Sequence, residues 1–206
     1  MIRIVFCNIG WADKYDGELT DKPIGDAKYI KDGGTGHEIA NFAPTDNFYY
    51  GFVETKSVNG KPRAINIENI ESTFANSDAI DHVLVVWCAT NEKTGGKYIV
   101  GWYKDATVFR TRKKAPYDSK RSELYVKGLL ETNEYMMSCA KKDGFLLPPE
   151  NRNFYVPTAR KDGYGFGQSD LWYPGKSDEE KVKEYVKKTI DYINSVKPSA
   201  NLSKNF

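Results

Sequence analysis

The chain has 206 residues, of which 40% are hydrophobic, 28% charged and 14% aromatic; it is long enough to bury a core unaided and too rich in rings and branched side chains to stay disordered. No apolar run approaches the roughly 18 residues of a membrane helix, no basic-then-apolar leader opens the chain, and three scattered cysteines indicate neither a disulfide framework nor a zinc cluster, so a cytoplasmic protein with buried Cys7, Cys88 and Cys139 and no membrane partner is expected. Thirty basic and 28 acidic groups nearly balance, but residues 104–161 hold 13 basic against 7 acidic, a local excess suited either to phosphate or to a solvated loop.

In chain order, residues 2–7 (IRIVFC) are branched and apolar and predict a buried strand, followed by a loop broken by Gly17, Pro23, Gly25, Gly33, Gly34 and Gly36. Residues 47–56 predict a strand on aromatic content, turned at Asn59-Gly60 into a returning arm with Ile65 and Ile67. Residues 82–90 (HVLVVWCAT) are apolar on both faces, and residues 97–103 (KYIVGWY), beyond Gly95-Gly96, pair with them as a central hairpin. Residues 106–110 and 134–140 predict further strands. Ser177, with Glu180 three residues later, forms a capping box, after which Val182, Tyr185, Val186, Thr189, Ile190 and Ile193 recur at helical spacing up to Pro198. The expected class is α+β: a curled, mostly antiparallel β-barrel with flanking helices and a C-terminal helix, one domain over residues 1–198 with a frayed tail at 199–206.

Chemistry has few places to reside. His82 opens a buried strand and reads as structural. His37 lies in GGTGHEIANF, where glycines permit close approach of a ligand and His37-Glu38 offers an acid and a base; a loop histidine bonded to backbone is the alternative. No metal-ligand spacing, GxSxG, Walker A loop or dinucleotide fingerprint occurs, so neither cofactor nor metal is expected. Asp46, Glu54 and Lys56 approximate the acidic pair and lysine of PD-(D/E)xK magnesium nucleases, although a Glu-x-Lys triplet arises readily among so many charges.

The aromatic pattern is more informative. Trp11, Tyr15, Trp87, Trp102, Tyr103 and Trp172 are many large rings for this length, and GWYKDATVFR carries two of them straight into Arg110, Arg112, Lys113 and Lys114. Rings beside cations suit nucleic acid. In regular strand geometry Tyr98, Val100 and Trp102 share one face and Tyr103 takes the other. In DGYGFGQSDLWY, the amides of Gly163, Gly165 and Gly167, with Gln168 and Ser169, offer a hold on a phosphate or base edge, or form an irregular loop leading to the last helix.

Together FCNIGWADKYDG, GHEIANF, VLVVWCAT, IVGWYKDATVFR and GFGQSDLWY, in that order and ahead of a terminal helix, resemble a module found N-terminal to HNH nuclease domains in bacterial modification-dependent restriction enzymes. The resemblance implies a PUA-like fold, related to SRA, EVE and ASCH domains, and base flipping: a methylated or hydroxymethylated cytosine turned out of double-stranded DNA into an aromatic pocket. It casts Trp11, Tyr15 and Trp102 as pocket walls, Asn8, His37 and Asn41 as polar readers, and Arg110, Arg112, Lys113 and Lys114 on the phosphates, with Gln168 and Ser169 at the rim. These residues contain no HNH-like segment, so a binding module without catalytic residues, acting with a separately encoded nuclease, is expected. The alternatives are the magnesium nuclease above, an RNA hydrolase of the ASCH type, or a nucleoside or small-molecule binder.

Overall fold

Runs of branched and aromatic residues at period two set the strands, and their lengths set the sheet. The computed structural model describes residues 2–25, 34–55, 57, 58 and 61–196. Its strands are β1 (Ile4–Ile9), β2 (Phe48–Gly51), β3 (Ser57–Val58), β4 (Lys61–Pro62), β5 (Ala79–Thr90), β6 (Lys97–Lys114), β7 (Glu134–Ala140), β8 (Gly144–Leu146) and β9 (Leu171–Trp172); its helices are α1 (Lys120–Val126), α2 (Ala159–Asp162) and α3 (Glu180–Ser195). Seven strands form one sheet in the order β2-β7-β6-β5-β1-β9, with β8 also on β6. All pairings in it are antiparallel except β1 with β5.

The class is α+β as expected, but the sheet is not a closed barrel. Its edge strands, β2 with four residues and β9 with two, do not pair with each other. Phe52, Val53, Ile65, Ile67 and Ile70, from the segment after β2, instead join the core on one face of the sheet. The expected returning arm at Ile65 and Ile67 is therefore not a strand. The β3–β4 hairpin pairs Ser57 with Pro62, and Ile65 donates its N–H to Arg110 O at 2.8 Å. The turn at Asn59-Gly60, Lys56 and the tail at 199–206 lie outside the described residues.

Alternation separates two cores. Val5, Cys7, Val85, Trp87 and Tyr103 face one side with the 52–70 segment; Ile4, Phe6, Val86, Cys88 and Trp102 face the other with Tyr185 and Ile193 of α3. The register shifts between Trp87 and Cys88, which pair with Gly101 and Ile99. This bulge at Val100 overturns the simple alternation: Ile99 and Trp102 share one face, Val100 and Tyr103 the other. His82, read as a structural residue opening a buried strand, lies inside β5 and is exposed, at φ 59° in a second register shift, 2.5 Å from Asp105, itself at φ 52°. Residues 106–110 continue β6 without a break.

The last helix starts two residues later than a Ser177 cap implies. Pro174–Lys176 form a 3-10 turn that ends at Ser177, whose hydroxyl accepts the Glu179 N–H at 3.3 Å, and Glu179 becomes the residue before the helix. No helix among the described residues is long and apolar enough to cross a membrane. The three cysteines are buried thiols.

Candidate functional site

Side chains that leave a sheet at its strand ends are released from the pleat and free to converge. β1 and β5 run parallel and end together, with Ile9 opposite Ala89; β6 starts opposite Thr90 at Lys97, and the Asn8 N–H donates to Asp170 O, just before β9, at 2.8 Å. Around this point three cavities open, of about 530, 530 and 310 Å³, and Asp170 lines all three. The first lobe is bounded by Asn8, Gly10, Glu38, Glu54, Glu92 and Lys97. The second has Asn8 and Lys97 with Arg160, Phe166, Gly167 and Gln168. The third, smallest lobe extends past Glu54 to Arg63, Asn66 and Tyr173.

Across the junction runs a row of polar groups. Lys97 Nζ donates to Asn8 Oδ1 and, at 3.3 Å, to Thr90 Oγ1, while Asn8 Nδ2 donates to Asp170 Oδ1 at 2.8 Å. The Lys97 ammonium also stands 5.1 Å from the centre of the Phe166 ring. Glu38 closes the floor of the first lobe, its Oε1 accepting the Gly10 N–H at 2.8 Å. Burial pushes the Glu38 carboxyl up from its ordinary value, against the lowering effect of that hydrogen bond. Glu54 is likewise raised by burial, although Arg112, 3.1 Å away, favours its ionised form.

The loop leaving β1 is fixed by side-chain bonds to its backbone, one of them from Tyr15, which the resemblance cast as a pocket wall. Tyr15 is fully buried at φ 51°; its hydroxyl donates to Gly10 O at 2.7 Å and accepts the Ala12 N–H at 3.0 Å. The Asp21 carboxylate accepts the N–H groups of Asp13, Lys14 and Tyr15. Arg152, 5% exposed, donates to Leu147 O, Ala12 O and Asp13 O, and its guanidinium lies 5.1 Å from the Trp11 ring and 5.8 Å from that of Tyr15. Trp11 and Tyr15 thus stiffen the loop beside the first lobe.

Trp102 is not brought to them. It is 2% exposed on the other face, stacked on Phe145 with centroids 5.0 Å apart. Asn41 is fully buried and braces backbone, exchanging hydrogen bonds with Phe52 N–H and C=O. Beside it Arg121 donates to His37 O, Asn41 Oδ1 and Tyr50 O; burial first, and then the charge of this cation, lower the His37 pKa to about 4. Arg110 donates to Glu68, Ser77 O, Phe74 O and Ala75 O, and Arg112 pairs with Glu54 and Glu134. Half-buried Lys113 leans on Phe109, and Lys114 is exposed. Gln168 and Ser169 are exposed at the second and third lobes.

Of the nuclease set, Asp46 is exposed in the turn before β2 and Glu54 is bound to Arg112. No group of three histidine, cysteine or acidic side chains suited to a metal gathers among the described residues. Sequence reading found Asn8, Gln168 and Ser169, took Arg160 only as part of the basic excess over residues 104–161, and passed over Lys97 and Asp170. A signal was present for both: Lys97 follows the Gly95-Gly96 turn, and Asp170 stands inside GFGQSDLWY. No family model, curated protein or solved structure matches this chain.

Proposed function

We propose that this chain is a nucleic-acid-binding module that captures a modified base, such as methylated or hydroxymethylated cytosine, in the cleft where β1 and β5 end. It serves restriction or defence by marking DNA for a separately encoded nuclease. In this reading the open sheet is a PUA-like scaffold and the pocket is polar, with Trp11 and Tyr15 supporting the loop beside it. The observation that carries the reading is the row Lys97–Asn8–Asp170, which sets a donor, an amide and an acceptor side by side at the mouth of a carboxylate-lined lobe. Carboxylates accept the exocyclic amino group of cytosine, and an ammonium donates to its ring acceptors. Extrusion of a base costs a few kcal/mol, which edge hydrogen bonds to the carboxylates and to Lys97 offset. Lys113 and Lys114 lie just beyond Arg112, whose partner Glu54 lines the cleft, and supply phosphate contacts at its border.

The test is a binding panel of duplexes carrying cytosine, methylcytosine, hydroxymethylcytosine or methyladenine, each with the wild-type chain and with Asp170→Asn. Preference for one modified cytosine by tenfold or more, reduced to parity by Asp170→Asn, is the expected result. Equal affinity across the panel overturns modified-base reading, and magnesium-dependent nicking of any duplex overturns the binding-only account.

A further inference from the structure

The two large lobes share Asn8, Lys97 and Asp170 but differ in charge. The first holds four carboxylates, Glu38, Glu54, Glu92 and Asp170, against Lys97. The second holds two cations, Lys97 and Arg160, against Asp170 alone, and one oxygen of that carboxylate is already taken by Asn8. Most arginines of this basic region are spent on structure: Arg110, Arg112, Arg121 and Arg152 all donate to carbonyls or carboxylates. Arg160 is different. It is exposed to the second lobe and makes no ion pair or hydrogen bond with its side chain among the described residues.

The same wall carries further unspent donors. The Gln168 side chain has no hydrogen-bond partner among the described residues, and the backbone N–H groups of Gly167, Gln168 and Ser169 donate to no acceptor among them. A Cβ on Gly167 would meet nothing within 4 Å, so the backbone there is open to close approach. Consecutive free amides beside a guanidinium and an ammonium are the donor set of an oxyanion with three or four oxygens.

We propose that the second lobe seats a phosphate group, held by Arg160, Lys97, Gln168 and the Gly167–Ser169 amides, while the carboxylate lobe holds the amino-bearing base joined to it. The site then reads one nucleotide, base and phosphate together. This rests on the base-capture reading for the first lobe, and the phosphate itself has two sources, a nucleic-acid backbone or a free mononucleotide; the backbone is the one assigned.

Four ligands separate these cases: inorganic phosphate, cytidine, cytidine 5′-monophosphate, and the preferred modified duplex across a salt series. Each is titrated against wild type, Arg160→Gln, Gln168→Ala and, as a charge control on the outer side of α3, Lys188→Gln. Arg160→Gln is expected to weaken duplex binding about tenfold and to flatten the slope of log affinity against log salt by about 0.9. It also abolishes the advantage of the monophosphate over cytidine and leaves the ratio of modified to unmodified duplex unchanged. Phosphate-induced amide shifts at Gly167–Ser169, followed by NMR, are expected in wild type and lost in Arg160→Gln. If Arg160→Gln matches Lys188→Gln in slope and monophosphate preference, the phosphate seat is overturned. A wild-type duplex ratio of one, with the phosphate effects intact, overturns base reading and keeps the seat. Binding of the monophosphate without any duplex binding overturns the assignment to a nucleic-acid backbone.

Discussion

His37 and Glu38 are adjacent, both buried, and titrate with opposite consequences for the fold. The folded chain holds His37 at about 4, against an ordinary 6.5, because burial and the Arg121 and Arg112 charges disfavour a third cation there. Between pH 6.5 and 4 the unfolded chain takes up a proton that the folded one refuses, so stability falls as pH drops, by roughly 3 kcal/mol in full. Glu38 acts the other way: its raised pKa favours the fold below 4.5, and that benefit is lost as pH rises through the folded value. Urea unfolding at pH 7, 5.5 and 4 separates them. Relative to wild type, His37→Gln is expected to lose less stability on acidification and Glu38→Gln to lose more. Parallel curves for all three proteins would show that neither group is desolvated as its burial indicates.

At the scale of elements, α3 holds the second face of the sheet. Tyr185 supplies the anchor: its ring lies within 6.0 Å of the rings of Phe6, Phe154, Tyr164 and Trp172, and its hydroxyl donates to Tyr155 O at 3.0 Å. Tyr185→Ala is expected to cost about 3–5 kcal/mol and Tyr185→Phe about 1 kcal/mol, read as midpoint shifts in denaturant. Near-equal costs would mean that the ring's packing matters little. α3 was legible because its apolar residues repeat every turn, and β5 and β6 because both faces of each are apolar over a glycine turn. α1 was not: within Lys120–Val126 the buried side chains are Arg121, Ser122 and Leu124, so no apolar stripe marks it. The parallel pairing of β1 with β5 was hidden for another reason, since residues 10–78 intervene and local pattern carries no register across such a span. That pairing builds the cleft, which is why Asn8 was named only through the resemblance while its partners Lys97 and Asp170 were missed.

At the scale of the whole molecule, a count of positive charge along the chain says little about where that charge is available. Residues 104–161 carry the excess, yet Arg110 fastens the 68–77 segment to β6, Arg121 fills a fully buried niche, and Arg152 ties the loop after β1. Their charges are already compensated by carbonyls and carboxylates, and moving any of them onto a phosphate would strip those acceptors of their partners. Lys113 and Lys114 have no such duty, with one leaning on a ring and the other in solvent. Under the proposed reading, salt dependence of duplex binding distinguishes the two kinds of cation, because each phosphate contact contributes about 0.9 to the slope. Lys113→Gln with Lys114→Gln is expected to flatten the slope by about 0.9 to 1.8 while leaving the unfolding midpoint unchanged. Arg110→Gln, which abandons three carbonyls and Glu68, is expected to lower stability by about 2–3 kcal/mol and leave the slope as it was. The reverse pattern, a flattened slope for Arg110→Gln and none for the lysines, would place the nucleic acid across the 68–77 segment and away from the cleft.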